Sequence, residues 1–250
     1  WGSYKNRGWN DPNLVGYMES HDEERLMVAI QTDGNISNPW YNISHADTAI
    51  TRMISAAAFF YTLPGPKMIW QFGELAYDYS IDYNGRLGEK PIRWDYYDDW
   101  RRHHLYTMTA ALLQLKKEHD VFRTSDFTVS GQGLQKTINL RSEEMSVTVA
   151  GNFGVQPAQV LPGFNQLGKW YDYFTGDSLN VVSLTDNIYM KAGEFKLFTS
   201  KRLAVPETGL SIPEKARYHN TILGEAYPNP ASGNIIIPIN MPARGQLTLE

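Results

Sequence analysis

The hydrophobic period changes once along this 250-residue chain, near Phe122, and that change limits the fold more than any other feature of the sequence. A helix repeats every 3.6 residues and a strand every two. Before Phe122, short apolar runs alternate with helically spaced apolar residues; after it, apolar residues recur at every second position. The first part therefore mixes strands with helices, and the second is all strand. The class expected is α/β plus all-β.

In the first part, Leu14-Val15-Gly16-Tyr17-Met18 and the run from Lys67 to Phe72 read as strands buried on both faces, as parallel strands are. Residues 19–41 are polar and carry Gly, Asn and Pro, so they read as a loop. Ser44-His45-Ala46-Asp47 has the spacing of a capping box and opens a helix running through Ala49, Met53, Ala56, Ala57 and Phe60. Leu63-Pro64-Gly65-Pro66 stops it. After a long aromatic and polar loop over residues 73–98, Asp98 or Asp99 can cap a helix with Leu105, Met108, Leu112 and Leu115 on one face. Strand, helix, strand and helix in this order imply parallel strands with right-handed crossovers, with Asp22 and Gly73 at the same end. Two such units cannot bury a sheet alone, so they belong to something larger. In the second part, residues 134–140, 145–152, 169–175, 179–184 and 188–199 read as strands of an antiparallel sandwich.

Composition removes several function classes. Lys and Arg are scattered and the net charge is −4, which gives no basic stripe for nucleic acid. No apolar run approaches the roughly 20 residues of a membrane span. Cysteine is absent, so there are no disulfides or thiolate sites. No His/Asp/Glu spacing points to a transition metal. The abundant Tyr and Trp in polar sequence, around 77–83 and 94–100, suit stacking on sugar faces. Asn35-Ile36-Ser37 and Asn42-Ile43-Ser44 match the glycosylation pattern and read as chance matches. The chain starts at Trp1 in polar sequence and ends at Glu250 in strand-like sequence, so it reads as a piece of a longer protein.

His21 and Asp22 follow the first apolar run, where barrel proteins build their sites. There an imidazole can bond sugar hydroxyls, and a carboxylate can stabilise an oxocarbenium-like centre. His119-Asp120 repeats the dipeptide past a helix end, where a structural role is the natural reading. Glu74, Asp78, Tyr79, Asp82 and Arg86 form a second rank of candidates, and Glu19, Glu23, Glu24 and Arg25 read as a charge cluster on the loop surface.

Tyr17-Met18-Glu19-Ser20-His21-Asp22, the segment from Gly65 to Gly73-Glu74 and Ile92-Arg93-Trp94-Asp95-Tyr96 stand in an order that resembles the end of the catalytic domain in the α-amylase family of glycoside hydrolases. Ser20 stands where Asn is commoner in that family, and Gly65-Pro66 lacks the usual intervening residue. The resemblance implies the C-terminal portion of a (β/α)8 barrel over residues 1–120 and a β-sandwich over 121–202. It also implies Asp22 as transition-state stabiliser, and His21 in the same subsite. With them would go substrate contacts from Glu74, Tyr79 and Arg86, and a starch- or glycogen-like α-glucan as partner. The family's nucleophile and acid/base lie on earlier strands, for which no motif is present, so the piece alone is expected to be inactive. Calcium is frequent in the family, with its usual ligands mostly in the missing part. A branching or transglycosylating enzyme and a non-catalytic carbohydrate-binding surface module are the alternatives.

Residues 203–223 have linker composition. Tyr227-Pro228-Asn229-Pro230, in the region 224–250, resembles the opening of the sorting domain used by the type IX secretion machinery of Bacteroidota. That resemblance implies a protein secreted from, or held on the surface of, a Gram-negative cell.

Overall fold

The computed structural model describes residues 2–208. The two apolar runs lie side by side and parallel, but they meet at a single bridge rather than along a ladder. Gly16 pairs with Lys67; Gly16 N donates to Pro66 O (3.0 Å) and Met68 N to Gly16 O (2.8 Å). The full strands expected over 14–18 and 67–72 are thus corrected to two extended segments. The second segment cannot continue because the chain turns: Gly73 N donates back to Trp70 O (2.8 Å) and Phe72 takes a left-handed φ of 60°.

Among the described residues there are three α-helices. The first, α1 (Leu26–Asp33), lies inside the stretch expected to be loop, with Met27 fully buried. The second, α2 (Ala46–Thr62), starts at His45 without a side-chain cap. The expected capping box does not form, because Asp47 is drawn to Arg101 (2.6 Å) and the Ser44 hydroxyl to Gly34 O (3.5 Å). The third, α3 (Trp100–Glu118), is capped by Asp99, whose carboxylate accepts from Arg101 N (2.9 Å) and Arg102 N (3.3 Å). Leu105 and Met108 pack with Ala49, Ile50 and Met53 of α2, and Leu112 and Leu115 with Ala57, Ala58 and Phe60.

Eight strands follow: β1 (Phe127–Ser130), β2 (Gln135–Arg141), β3 (Ser146–Asn152), β4 (Ala158–Val160), β5 (Gly168–Asp172), β6 (Ser178–Val181), β7 (Ile188–Met190) and β8 (Phe195–Thr199). All pairings are antiparallel, in a six-stranded sheet of order β1-β2-β3-β8-β5-β6 and a two-stranded sheet of β4 and β7. β1 and β4 were not foreseen. The stretch 188–199, read as one strand, is two, split by a turn in which Gly193 has φ of 70°.

β3 is buried along its whole length, and its alternation shows why. Val147 and Val149 share the large core with the helices, whereas Ala150 packs with Val160 of β4 and Met190 of β7. A Cβ at Gly151 would lie 2.7 Å from the Phe59 ring of α2, so only glycine lets helix and strand approach this closely. Three side chains from the helical part tie to main-chain carbonyls of the sheet part: Asn38 Nδ2 to Val155 O (2.6 Å), Arg52 Nη2 to Phe153 O (2.7 Å) and Ser55 Oγ to Gly193 O (2.7 Å). The described residues form one compact unit. Of the expected linker only residues 203–208 are described, and the region 224–250 lies outside the described residues. Among the described residues no helix is long and apolar enough to cross a membrane.

Candidate functional site

The loop after the first extended segment is pinned from beneath. Glu19 turns inward, where Oε2 accepts from Leu26 N (2.7 Å) at the start of α1. Its Oε1 lies 3.0 Å from Arg25 Nη2, an ion pair off the line of a hydrogen bond, with both side chains only 6% exposed. Arg25 also donates to Gln71 O, at the end of the second segment, and its guanidinium lies 4.6 Å from the centre of the Tyr77 ring. A Cβ on Gly73 would fall 2.4 Å from Glu19 Oε1, so glycine is required at that crossing. Burial pushes the Glu19 carboxyl up against the opposing pull of Arg25, and burial lowers Arg25 from its usual value. The surface charge cluster read from the sequence is therefore corrected. Glu19 and Arg25 are core residues, because the loop folds back over Gly73.

Above this base, Ser20 Oγ accepts from Asp22 N (3.1 Å) and donates to Glu23, which closes a tight turn. The turn leaves His21 and Asp22 pointing outward, 71% and 68% exposed, with Nε2 and Oδ2 3.3 Å apart. The His21 ring sits 5.7 Å from the Trp70 ring at 45°. Arg86 donates to the main-chain carbonyl of Asp22, so it fixes the loop without occupying the carboxylate. Ser20, His21, Trp70, Tyr79, Arg86 and Lys90 line a cleft of about 200 Å³. A wider depression of about 1090 Å³, which shares Gln71 and Lys90, adjoins it beside Tyr83 and Glu89.

The long loop that forms the far wall is held by Glu24 and Lys90. Glu24 accepts from Ser80 Oγ (2.6 Å) and Ile81 N (2.9 Å); burial raises its carboxyl, but these bonds outweigh burial and the net shift is downward. Lys90 Nζ donates to the carbonyls of Tyr83 (2.8 Å), Gly85 (2.8 Å) and Gly88 (3.0 Å). Neither role was read from the sequence, since tethers between loops leave no local pattern. Trp70 was also missed, although an aromatic at the end of the second apolar run was a visible signal.

His21, Tyr79 and Arg86 thus line one cleft, and Asp22, which does not line it, adjoins it through His21 and through its carbonyl on Arg86. Tyr79 contacts the rings of Tyr77 (5.5 Å) and Tyr83 (4.9 Å), and its hydroxyl accepts from Arg93 (2.9 Å). Glu74 does not line the cleft; it faces Glu19 and Arg25, and its Oε2 is buried without a hydrogen bond. Asp78 is engaged by Arg102 (2.7 Å) and the Tyr96 hydroxyl, and Asp82 is bound into a turn through Ser80 Oγ (3.1 Å). The second His-Asp pair is structural: His119 bonds Glu144 (2.6 Å) and Asp120 bonds Arg123. Among the described residues no three His, Cys, Asp or Glu gather to hold a metal.

Residues 2–208 have the fold of the C-terminal part of an α-amylase, the end of a (β/α)8 barrel followed by an antiparallel β-sandwich. The structures that share it include an α-amylase from Geobacillus thermoleovorans solved with acarbose, at 15% identity and a TM-score of 0.55, over 75% of this chain and 38% of that one. AmyP solved with maltose matches at 14% identity and 0.56, over 76% of this chain and 40% of AmyP. A γ-CGTase from an alkalophilic Bacillus clarkii matches at 16% identity and 0.57, over 78% and 27% of the two chains. This chain spans about two-fifths or less of the length of these structures, which are α-amylase-family enzymes. No protein-family model and no curated protein sequence matches the chain.

Proposed function

We propose that this chain supplies part of the substrate cleft and one catalytic carboxylate of a retaining glycoside hydrolase acting on α-glucosidic linkages of starch- or glycogen-like glucan. The observation that carries the reading is His21, outward-facing beside Trp70 in a cleft walled by tyrosine and arginine, with the exposed carboxylate of Asp22 3.3 Å from its Nε2. Trp70 offers a flat face to a sugar ring, and His21 a donor to a hydroxyl. The carboxylate of Asp22 is unclaimed by Arg86, so it is available to the positive charge that develops on the sugar in an oxocarbenium-like transition state. Retaining hydrolysis also needs a nucleophile and an acid/base, assigned in this reading to residues outside the chain. No step uses calcium. Transfer to another sugar instead of water is the second reading, favoured by the match to a γ-CGTase. The secretion-like region 224–250 would carry the protein out of a Gram-negative cell through the type IX machinery.

Titration of the chain with maltotriose, followed by tryptophan fluorescence and by the NMR signals of the His21 ring, tests the reading. Maltotriose should perturb His21 and the Trp70 indole together, and Trp70→Ala should abolish the response. Binding that leaves both signals unmoved would sink the site.

A further inference from the structure

A second cleft, about 430 Å³, lies at the other ends of the two parallel segments, beside Pro12 and Pro66, where His21 and Asp22 do not reach. Its lining is divided in kind. Pro12, Pro66, Leu113 and Phe122 supply apolar surface, while Lys116, Lys117 and Arg123 supply positive charge, and no acidic residue lines it. Lys67 adjoins it, and neither Lys67 nor Lys116 has a carboxylate within ion-pair distance among the described residues.

We propose that this cleft is a binding site for a small organic anion, with a phosphate-type head against Lys116 and Arg123 and an apolar body against Pro12, Pro66 and Phe122.

Binding to helix-end and turn carbonyls accounts for Lys67 and for part of Arg123, but leaves two of the three Lys116 donors without a partner among the described residues. Lys116 Nζ donates to Leu63 O (2.6 Å) at the end of α2, which uses one of its three donors. Lys67 spends its donors on the carbonyls of Pro64 (3.3 Å), Gly65 (2.9 Å) and Pro66 (3.5 Å). Arg123 is bound to Asp120 and to Lys117 O (2.8 Å), which orients the guanidinium. Half-buried like charges repel, and an oxyanion in their midst relieves that repulsion. Burial first, then the charges of Lys67 and Arg123, push Lys116 down to about 7; burial alone pushes Lys67 down to about 8. The charged groups around Lys116 are Lys67 from the turn after α2, Lys117 on α3, and Arg123 with its partner Asp120 after α3. The volume falls within the roughly 300–1,000 Å³ of small-molecule pockets, too large for an inorganic ion alone.

The test uses the 250-residue chain with three probes: phenyl phosphate, inorganic phosphate and phenol. Calorimetry at pH 7 should show phenyl phosphate bound more tightly than inorganic phosphate and phenol not bound. Lys116→Met should weaken phenyl phosphate about tenfold or more, because a charged hydrogen bond is lost, and Lys116→Arg should keep most of the affinity. Arg123→Gln, at an exposed position, repeats the test should Lys116→Met fold poorly, and Lys169→Met on the sheet should change nothing. A phosphate monoester is fully ionised above about pH 7. Deprotonation of Lys116 and of the neighbouring Lys67 therefore governs the pH dependence, and affinity should fall from pH 7 to pH 9. No binding, equal binding by Lys116→Met and Arg123→Gln, or a flat pH profile would each overturn the site. Inorganic phosphate binding as tightly as phenyl phosphate would overturn the apolar half of the assignment.

Discussion

Replacing Arg25 with leucine removes one partner of the ion pair beneath the His21–Asp22 loop and strands the other. Glu19 would then hold a carboxylate, 6% exposed, with Leu26 N as its remaining polar contact and the carbonyl of Gln71 without its donor. Removing one member of a buried pair costs about 3–5 kcal/mol. For a domain of this size each kcal/mol lowers Tm by about 2–4 °C, so a fall of roughly 6–20 °C is expected. The pH dependence is a sharper check. The folded-state pKa of Glu19 already lies above its ordinary 4.5, so the native state holds this proton more tightly than the unfolded chain does. Stability contributed by Glu19 is then greatest below 4.5 and is lost as pH rises through the folded value. Without Arg25 the folded value moves further up, so the deficit should be larger at pH 8 than at pH 5. The double variant Glu19→Gln/Arg25→Leu carries no stranded charge and should be more stable than Arg25→Leu at pH 8. Thermal melts by circular dichroism at both pH values decide it. An equal deficit at pH 5 and pH 8, or a double variant no better than the single, would refute the reasoning.

Under the proposed function, Asp22→Asn in the full-length protein should lower kcat with little change in KM, by on the order of 3–4 kcal/mol of transition-state stabilisation. His21→Ala should cost less and His119→Ala almost nothing; steady-state kinetics on soluble starch compares them, and a near-parental kcat for Asp22→Asn would remove it from the chemistry. Gly193→Ala should destabilise the chain by about 2–5 kcal/mol. The residue has a left-handed φ, and its new methyl would meet the Tyr41 hydroxyl at 1.6 Å. A melt within a degree or two of the parent would show that Tyr41 yields freely.

The parts of the fold legible in the sequence were those governed by period. α3 could be read from Leu105, Met108, Leu112 and Leu115 because one face packs on α2 throughout. β2 and β3 were legible because residues on their two faces meet different neighbours. The eight-residue α1 was not, since its start is set by Glu19, seven residues before the helical N–H it caps. The capping box at Ser44 failed because Arg101, distant in sequence, competes for Asp47. β4 has three residues and a single partner strand, too few for a period to show. At the site, His21 and Asp22 were visible as a motif after an apolar run. The inward turn of Glu19 and Arg25 was not, because it depends on the missing side chain of Gly73.

The joint between helices and sheet has a consequence for how this sequence can change. Asn38, Arg52 and Ser55 all grip main-chain oxygens, at Val155, Phe153 and Gly193. The three bonds themselves do not read loop side chains, and the exception on these loops is Phe153, whose ring packs on Phe59 (5.2 Å) and under the Arg52 guanidinium (5.1 Å). What cannot be exchanged is spacing. An inserted residue at 153–155 or 191–194 would shift every carbonyl beyond it, and a side chain at Gly151 or Gly193 would wedge the two parts open. Drift in this joint should thus appear as substitution within loops of fixed length, around an aromatic at 153 and two glycines that do not move.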